Sequence, residues 1–188
     1  MKNLVLIGGK MKPEEEFRHL WHGSSQSDVV QGAGLLIFQA HCRGNADIVL
    51  KNCREVLGIV LQQYQIDWLS EEEWQKKLPD WFIRNCAPER TLEEEEENLV
   101  RWHKLSSEEQ QRQEEEERWS VMDWISWFEP SDDPFYQRTW FWWDAFIKES
   151  DILMVIVEVV DLPVPLGSLM WLLRASGATY IQSQVEEF

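Results

Sequence analysis

The stretch ILMVIVEVVDLPVPLGSLMWLLRASGATYI, residues 152–181, decides how the chain is read. Ile152 to Val160 is rich in β-branched residues and lacks a helical period, the pattern of a strand covered on both faces. Asp161-Leu162-Pro163-Val164-Pro165 stops it, because proline removes the amides that a ladder needs. Leu166, Leu169, Met170, Leu172 and Leu173 then recur at helical spacing, and Gly177 suits the turn past a helix end. Ala178 to Ile181 resumes as a strand. The three pieces make a β-α-β unit of about 30 residues, whose crossover is right-handed if its strands are parallel.

Upstream of this unit the periodicity is mostly helical. Ala46, Val49, Leu50, Cys53, Leu57, Val60, Leu61 and Tyr64 fall at i, i+3, i+4 and i+7, with Lys51, Arg54, Glu55, Gln62 and Gln63 off the stripe. Residues 46–64 are therefore an amphipathic helix, with Asn45 as its expected cap and Cys53 as a core thiol. Ser70 with Glu73, Thr91 with Glu94 and Ser106 with Glu109 are capping boxes. They predict helices over 71–86 (kinked or split at Pro79), 92–104 and 107–128. Pro13 followed by Glu14, Glu15 and Glu16 opens an earlier helix that carries Phe17, Leu20 and Trp21 inward. Asp133-Pro134 predicts a helix over 134–148, with an aromatic strand over 139–147 as the competing reading. Leu4–Ile7 and Leu35–Phe38 are short strand candidates. The expectation is a helix-rich α+β fold: N-terminal and central helices and an acidic arm packed on a small sheet that includes the C-terminal β-α-β unit. The 188 residues are read as one domain, with 89–118 an acidic helical insertion or arm within it.

Charge narrows the functional classes. Acids outnumber bases 34 to 18, a net charge of −16. A field of that sign repels phosphate backbones and anionic lipid, which disfavours direct nucleic-acid and membrane binding and favours a basic partner. Between Glu89 and Glu117 twelve glutamates face only Arg90, Arg101, Lys104 and Arg112, so half of the net charge lies there. Within it, residues 106–118 (SSEEQQRQEEEER) hold no apolar side chain. The hydrophobic effect cannot dock such a segment on a core, so it is a solvated helix, a loop, or a surface completed by a partner. The candidate binding residues are Glu93, Glu94, Glu95, Glu96 and Glu97 with Glu114, Glu115, Glu116 and Glu117, flanked by Trp119 and Trp124. Solubility alone is the plainer reading of the same glutamates.

The chemical motifs are weak. His19 and His22 share the i, i+3 spacing of a metal pair, yet Phe17, Leu20 and Trp21 place both on the opposite, exposed side. Glu158 shares a pleat face with Ile152, Met154 and Ile156, so a two-sided strand sets its carboxylate among apolar groups, where general acids and bases are tuned. An ordinary ion pair with Arg138 or Arg174 is the plainer alternative. Asp161, at the strand end, makes Glu158 and Asp161 a weak catalytic pair, with Asp144 and Glu149 as further carboxylates for a divalent cation. Gly8-Gly9-Lys10 and Gly32-Ala33-Gly34 lack the remaining positions of phosphate-binding or dinucleotide loops. Cys42, Cys53 and Cys86 have neither metal nor redox spacing. Trp119, Trp124, Trp127, Trp140, Trp142 and Trp143, with Phe128, Phe135, Tyr136 and Phe141, form either an aromatic core or a stacking or docking platform.

The sequence thus points to a non-enzymatic acidic interaction module that binds a basic protein, of the inhibitor, immunity or accessory-subunit type. The alternative is a small-ligand binder or enzyme with a carboxylate site near the β-α-β unit. No cofactor is implied, and a homo-oligomer is left open. The N-terminus MKNLVLIGGKM has too short an apolar run for a signal peptide, so the cytoplasm is the expected compartment.

Overall fold

The computed structural model of the chain describes residues 10–64, 66–131 and 138–184. The expected strand at Leu4–Ile7, the Asp133-Pro134 helix start, Phe135 and Tyr136 lie outside these residues. The architecture is helix-rich α+β: helices packed on a four-stranded antiparallel sheet of order β2-β3-β1-β4.

The β-α-β unit forms as read, with one refinement. β3 (Ile152–Val159) leads through α8 (Gly167–Ala175) into β4 (Tyr180–Gln184). β1 (Gly34–His41) is antiparallel to both, pairing Phe38 with Val155 on one side and with Ser183 on the other. The two strands of the unit are therefore parallel but separated by β1. Gly177 ends α8 at φ 119°, and a Cβ there would lie 3.3 Å from Val49.

The helix expected over 134–148 is overturned for residues 140–148. Trp140–Glu149 is a strand, β2, paired antiparallel to β3 with register shifts after Trp142 and Ile147. Trp140 and Trp142 enter the main core, whereas Phe141 and Trp143 pack with Met11 on the opposite face of the sheet. Aromatic residues suit strands. Because both faces are covered, no polar alternation marks the strand in the sequence.

α2 (Ala46–Gln63) buries its predicted stripe and has Asn45 at its N-cap position, but the Asn45 side chain makes no cap bond; its Nδ2 donates to the Arg43 carbonyl at 3.2 Å. Cys53 sits in this stripe, and burial pushes its thiol pKa up to about 12. All three capping boxes form. They start α3 (Glu71–Lys77), α5 (Leu92–Trp102) and α6 (Ser107–Glu116), and Pro79 separates α3 from α4 (Asp80–Asn85) as expected. α6 stops well short of residue 128. Glu117 is extended, and Ser120 caps a new helix, α7 (Val121–Ser126), by accepting from the Asp123 amide at 3.1 Å.

α1 (Pro13–His22) starts at its proline, but its inward face differs from the apolar reading. Leu20 is buried, yet so are Glu16 and His19, while Trp21 is 43% exposed. Glu16 takes two 2.7 Å bonds from the Arg138 guanidinium and a third, 2.8 Å, from the backbone amide of Trp142. Arg138 lies over the rings of Phe141 and Phe128 at 4.7 and 4.9 Å. A bidentate pair wrapped in aromatic faces thus joins α1 to edge strand β2.

Candidate functional site

The acidic segment is a helical hairpin rooted at one point. Ala87 and Ser120 form a parallel bridge, with the Ala87 amide donating to the Trp119 carbonyl at 2.9 Å. Residues 88–119 therefore leave and return at the same place. The root is fastened by Arg118, which donates to the carbonyls of Asn85 and Cys86 at 2.8 Å each, and by an Arg90–Glu117 ion pair. A Gln110 bond to the Trp102 carbonyl, 3.0 Å, closes the turn between α5 and α6.

Residues 106–118, open between helix and loop in the sequence, are helical over Ser107–Glu116. α5 has no buried residue. Glu93, Glu94, Glu95, Glu96 and Glu97 are all exposed, and so are the apolar Leu92, Leu99 and Val100, at 81, 56 and 55%. Local terms hold this helix, namely its capping box and the acids at the positive end of its dipole.

Between α5 and the body runs a groove of about 440 Å³, lined by Leu99, Trp102, Trp119 and Trp127 with Glu95 and Asp123. Trp119 and Trp127 are half-buried with ring centroids 6.1 Å apart. Arg90 and Arg118 also line it, but their guanidiniums are spent on Glu117 and on the root carbonyls. The carboxylates of Glu95 and Asp123 accept no hydrogen bond among the described residues. An indole floor with acidic walls suits a cationic chain that carries apolar side chains. Leu99 and Trp102 were missed in the sequence; their only signal is an apolar i, i+3 pair at the end of the glutamate run.

Several sequence candidates fall elsewhere. Trp124 is not at a surface: it is fully buried, and its indole N–H donates to the Ser168 carbonyl at 2.9 Å. Trp140 and Trp142 are core residues too, and Trp143 fills the opposite face. Glu114, Glu115 and Glu116 lie on α6, with side chains outside the described set.

The carboxylates near the β-α-β unit do not converge. Glu158 is buried, and its Oε1 accepts from the amides of Gln31 (2.7 Å) and Gly32. The expected arginine partners are engaged elsewhere: Arg138 is held by Glu16, and Arg174 donates to the Glu117 carbonyl at 3.2 Å. Asp161 is exposed and turns onto the amide of Leu162. Asp144 accepts from Ser24, and Glu149 pairs with Ile152 at the far end of β3, roughly 20 Å from Glu158 along the strand. Glu158 anchors the segment between α1 and β1 to the sheet. A Cβ on Gly32 would collide with the Val159 carbonyl oxygen, so only glycine permits that approach.

The two histidines also separate. His22 is exposed, whereas His19 is fully buried, against the exposed position expected for it. Trp143 packs edge-on to its ring at 4.7 Å, and Asp28 Oδ2 lies 2.9 Å from Nε2. The segment following α1 closes over this side of the helix, a tertiary contact invisible to apolar periodicity. Its Ser25 amide and Arg18 hold the Asp28 carboxyl well below the usual aspartate range.

No helix among the described residues is long and apolar enough to cross a membrane. No protein-family model matches the chain, and neither a curated protein nor a solved structure does.

Proposed function

We propose that the chain is a non-enzymatic docking protein whose acidic hairpin and indole groove bind a basic protein segment, as an inhibitor or accessory subunit does. The observation that carries this reading is α5: a helix with no buried residue, holding exposed Leu92, Leu99 and Val100 beside the exposed run Glu93–Glu97, over a groove floored by Trp102, Trp119 and Trp127. Apolar exposure in a fastened hairpin supports an interface. Charge selects the occupant, since a second copy would set Glu93–Glu97 against a like run, whereas a lysine- and arginine-rich helix matches it.

A test is titration with a synthetic lysine- and arginine-rich amphipathic peptide, read by tryptophan fluorescence. Binding should weaken steeply with salt and when Glu93–Glu97 are changed to glutamine, and Trp119→Ala should reduce it further. Equal binding of a neutral amphipathic peptide, or indifference to the glutamine changes, would contradict the reading.

A further inference from the structure

The geometry points to a first-row divalent cation site formed by Glu15, His19 and Asp28, remote from the hairpin groove and independent of the docking reading. Glu15 and His19 stand four residues apart on α1, so their side chains share one face of that helix. The segment after α1 brings Asp28 back to them, and one donor atom from each residue lies within 4.8 Å of the others. His19 Nε2 and Asp28 Oδ2 are 2.9 Å apart, close to the roughly 3 Å between adjacent donors around an ion bound at about 2.0–2.2 Å.

The two carboxylates are held from behind, as metal ligands are. Asp28 accepts from the Ser25 amide at 2.7 Å and from Arg18 at 2.8 Å. Glu15 accepts from the side chain of Gln31 at 3.3 Å, while the Gln31 amide is itself bound to the buried Glu158. His19 is fully buried, with Nδ1 lacking any hydrogen-bond partner among the described residues. A fully buried imidazole with one ring nitrogen orphaned, beside two carboxylates, departs from the rule that buried polar atoms are paired.

One nitrogen and two carboxylate oxygens suit zinc or manganese, with water completing the shell. On binding, the ring carries its single proton on Nδ1, and Nε2 gives its lone pair to the ion. Asp28 Oδ2 exchanges its His19 contact for the ion and keeps the Ser25 amide, while Oδ1 keeps Arg18. The Asp28 side chain is 10% exposed, which leaves the site at the protein surface. The ion would lock α1 to the segment that anchors on β3.

Cobalt(II), titrated into the full chain, is the probe. One equivalent should bind with d–d absorption in the visible and be displaced by zinc. Glu15→Gln and Asp28→Asn should each weaken binding at least about tenfold, while glutamine at Glu93–Glu97 leaves it unchanged. His19→Gln removes a core side chain and can unfold the protein, so the half-buried Glu15 carries the test. Absence of stoichiometric binding, or binding that depends on the arm glutamates and not on Glu15, would overturn the site.

Discussion

Changing Glu16 to glutamine should be among the most damaging single substitutions in the protein. Glu16 is fully buried and neutralises Arg138, itself 7% exposed, through two bonds of 2.7 Å. The glutamine keeps the shape and an acceptor for the Trp142 amide but leaves a guanidinium charge unpaired inside the protein. Breaking one side of a buried pair costs about 3–5 kcal/mol. In a chain of this size that lowers the melting temperature by roughly 6–20 °C. Arg138→Met should cost a similar amount, since it strands the carboxylate. The double variant should recover most of the loss, because no charge then remains buried and methionine can fill the space between Phe128 and Phe141. The assay is urea unfolding of all four proteins. Recovery means that the double variant loses at least about 2 kcal/mol less than the sum of the singles. Additive losses, or a Glu16→Gln cost below about 1 kcal/mol, would refute the idea that this pair is a coupled core element.

Gly32→Ala should destabilise by about 1–3 kcal/mol, because its Cβ would collide with the Val159 carbonyl; thermal melting reads this, and an unchanged melt contradicts the close approach. Amide exchange by mass spectrometry should find α5 opening well before α2 and β3, since α5 buries no side chain. Cap interactions hold Glu94 and Glu109 below the ordinary glutamate value of 4.5. A lowered folded-state value means that the cap contribution is full above 4.5 and is lost as pH falls through the folded value. Hairpin amides should therefore exchange relatively faster in acid, an effect that Glu94→Ala and Glu109→Ala diminish. Asp28 obeys the same sign: its contribution is present above 3.8 and lost on acidification, and Asp28→Asn should lack it at every pH, as acid-unfolding curves would record.

What could be read in the sequence was whatever local chemistry dictates. Thr91 with Glu94 and Ser106 with Glu109 start their helices because a hydroxyl and a carboxylate three residues apart satisfy each other's backbone without tertiary help. The stripe of α2 was legible because burial and periodicity coincide there, and the run Ile152–Val159 because β-branched residues crowd it without a helical period. Trp140–Trp143 misled because a strand covered on both faces shows no alternation. His19 misled because Asp28, nine residues on, and Trp143, far along the chain, decide its burial. The indole groove was half legible: Trp119 stood out beside the charge run, but Trp124 is turned to the core by its bond to Ser168, and Leu99 and Trp102 gain meaning only when the hairpin closes.

The most direct test of the docking account is affinity capture from native lysate at low and high salt, with three baits analysed by mass spectrometry: wild type, glutamine at Glu93–Glu97, and Trp119→Ala. The account predicts a basic protein retained by wild type at low salt, released at high salt, and reduced with both variants. Identical retention by all three baits, or an acidic partner indifferent to salt, would contradict it.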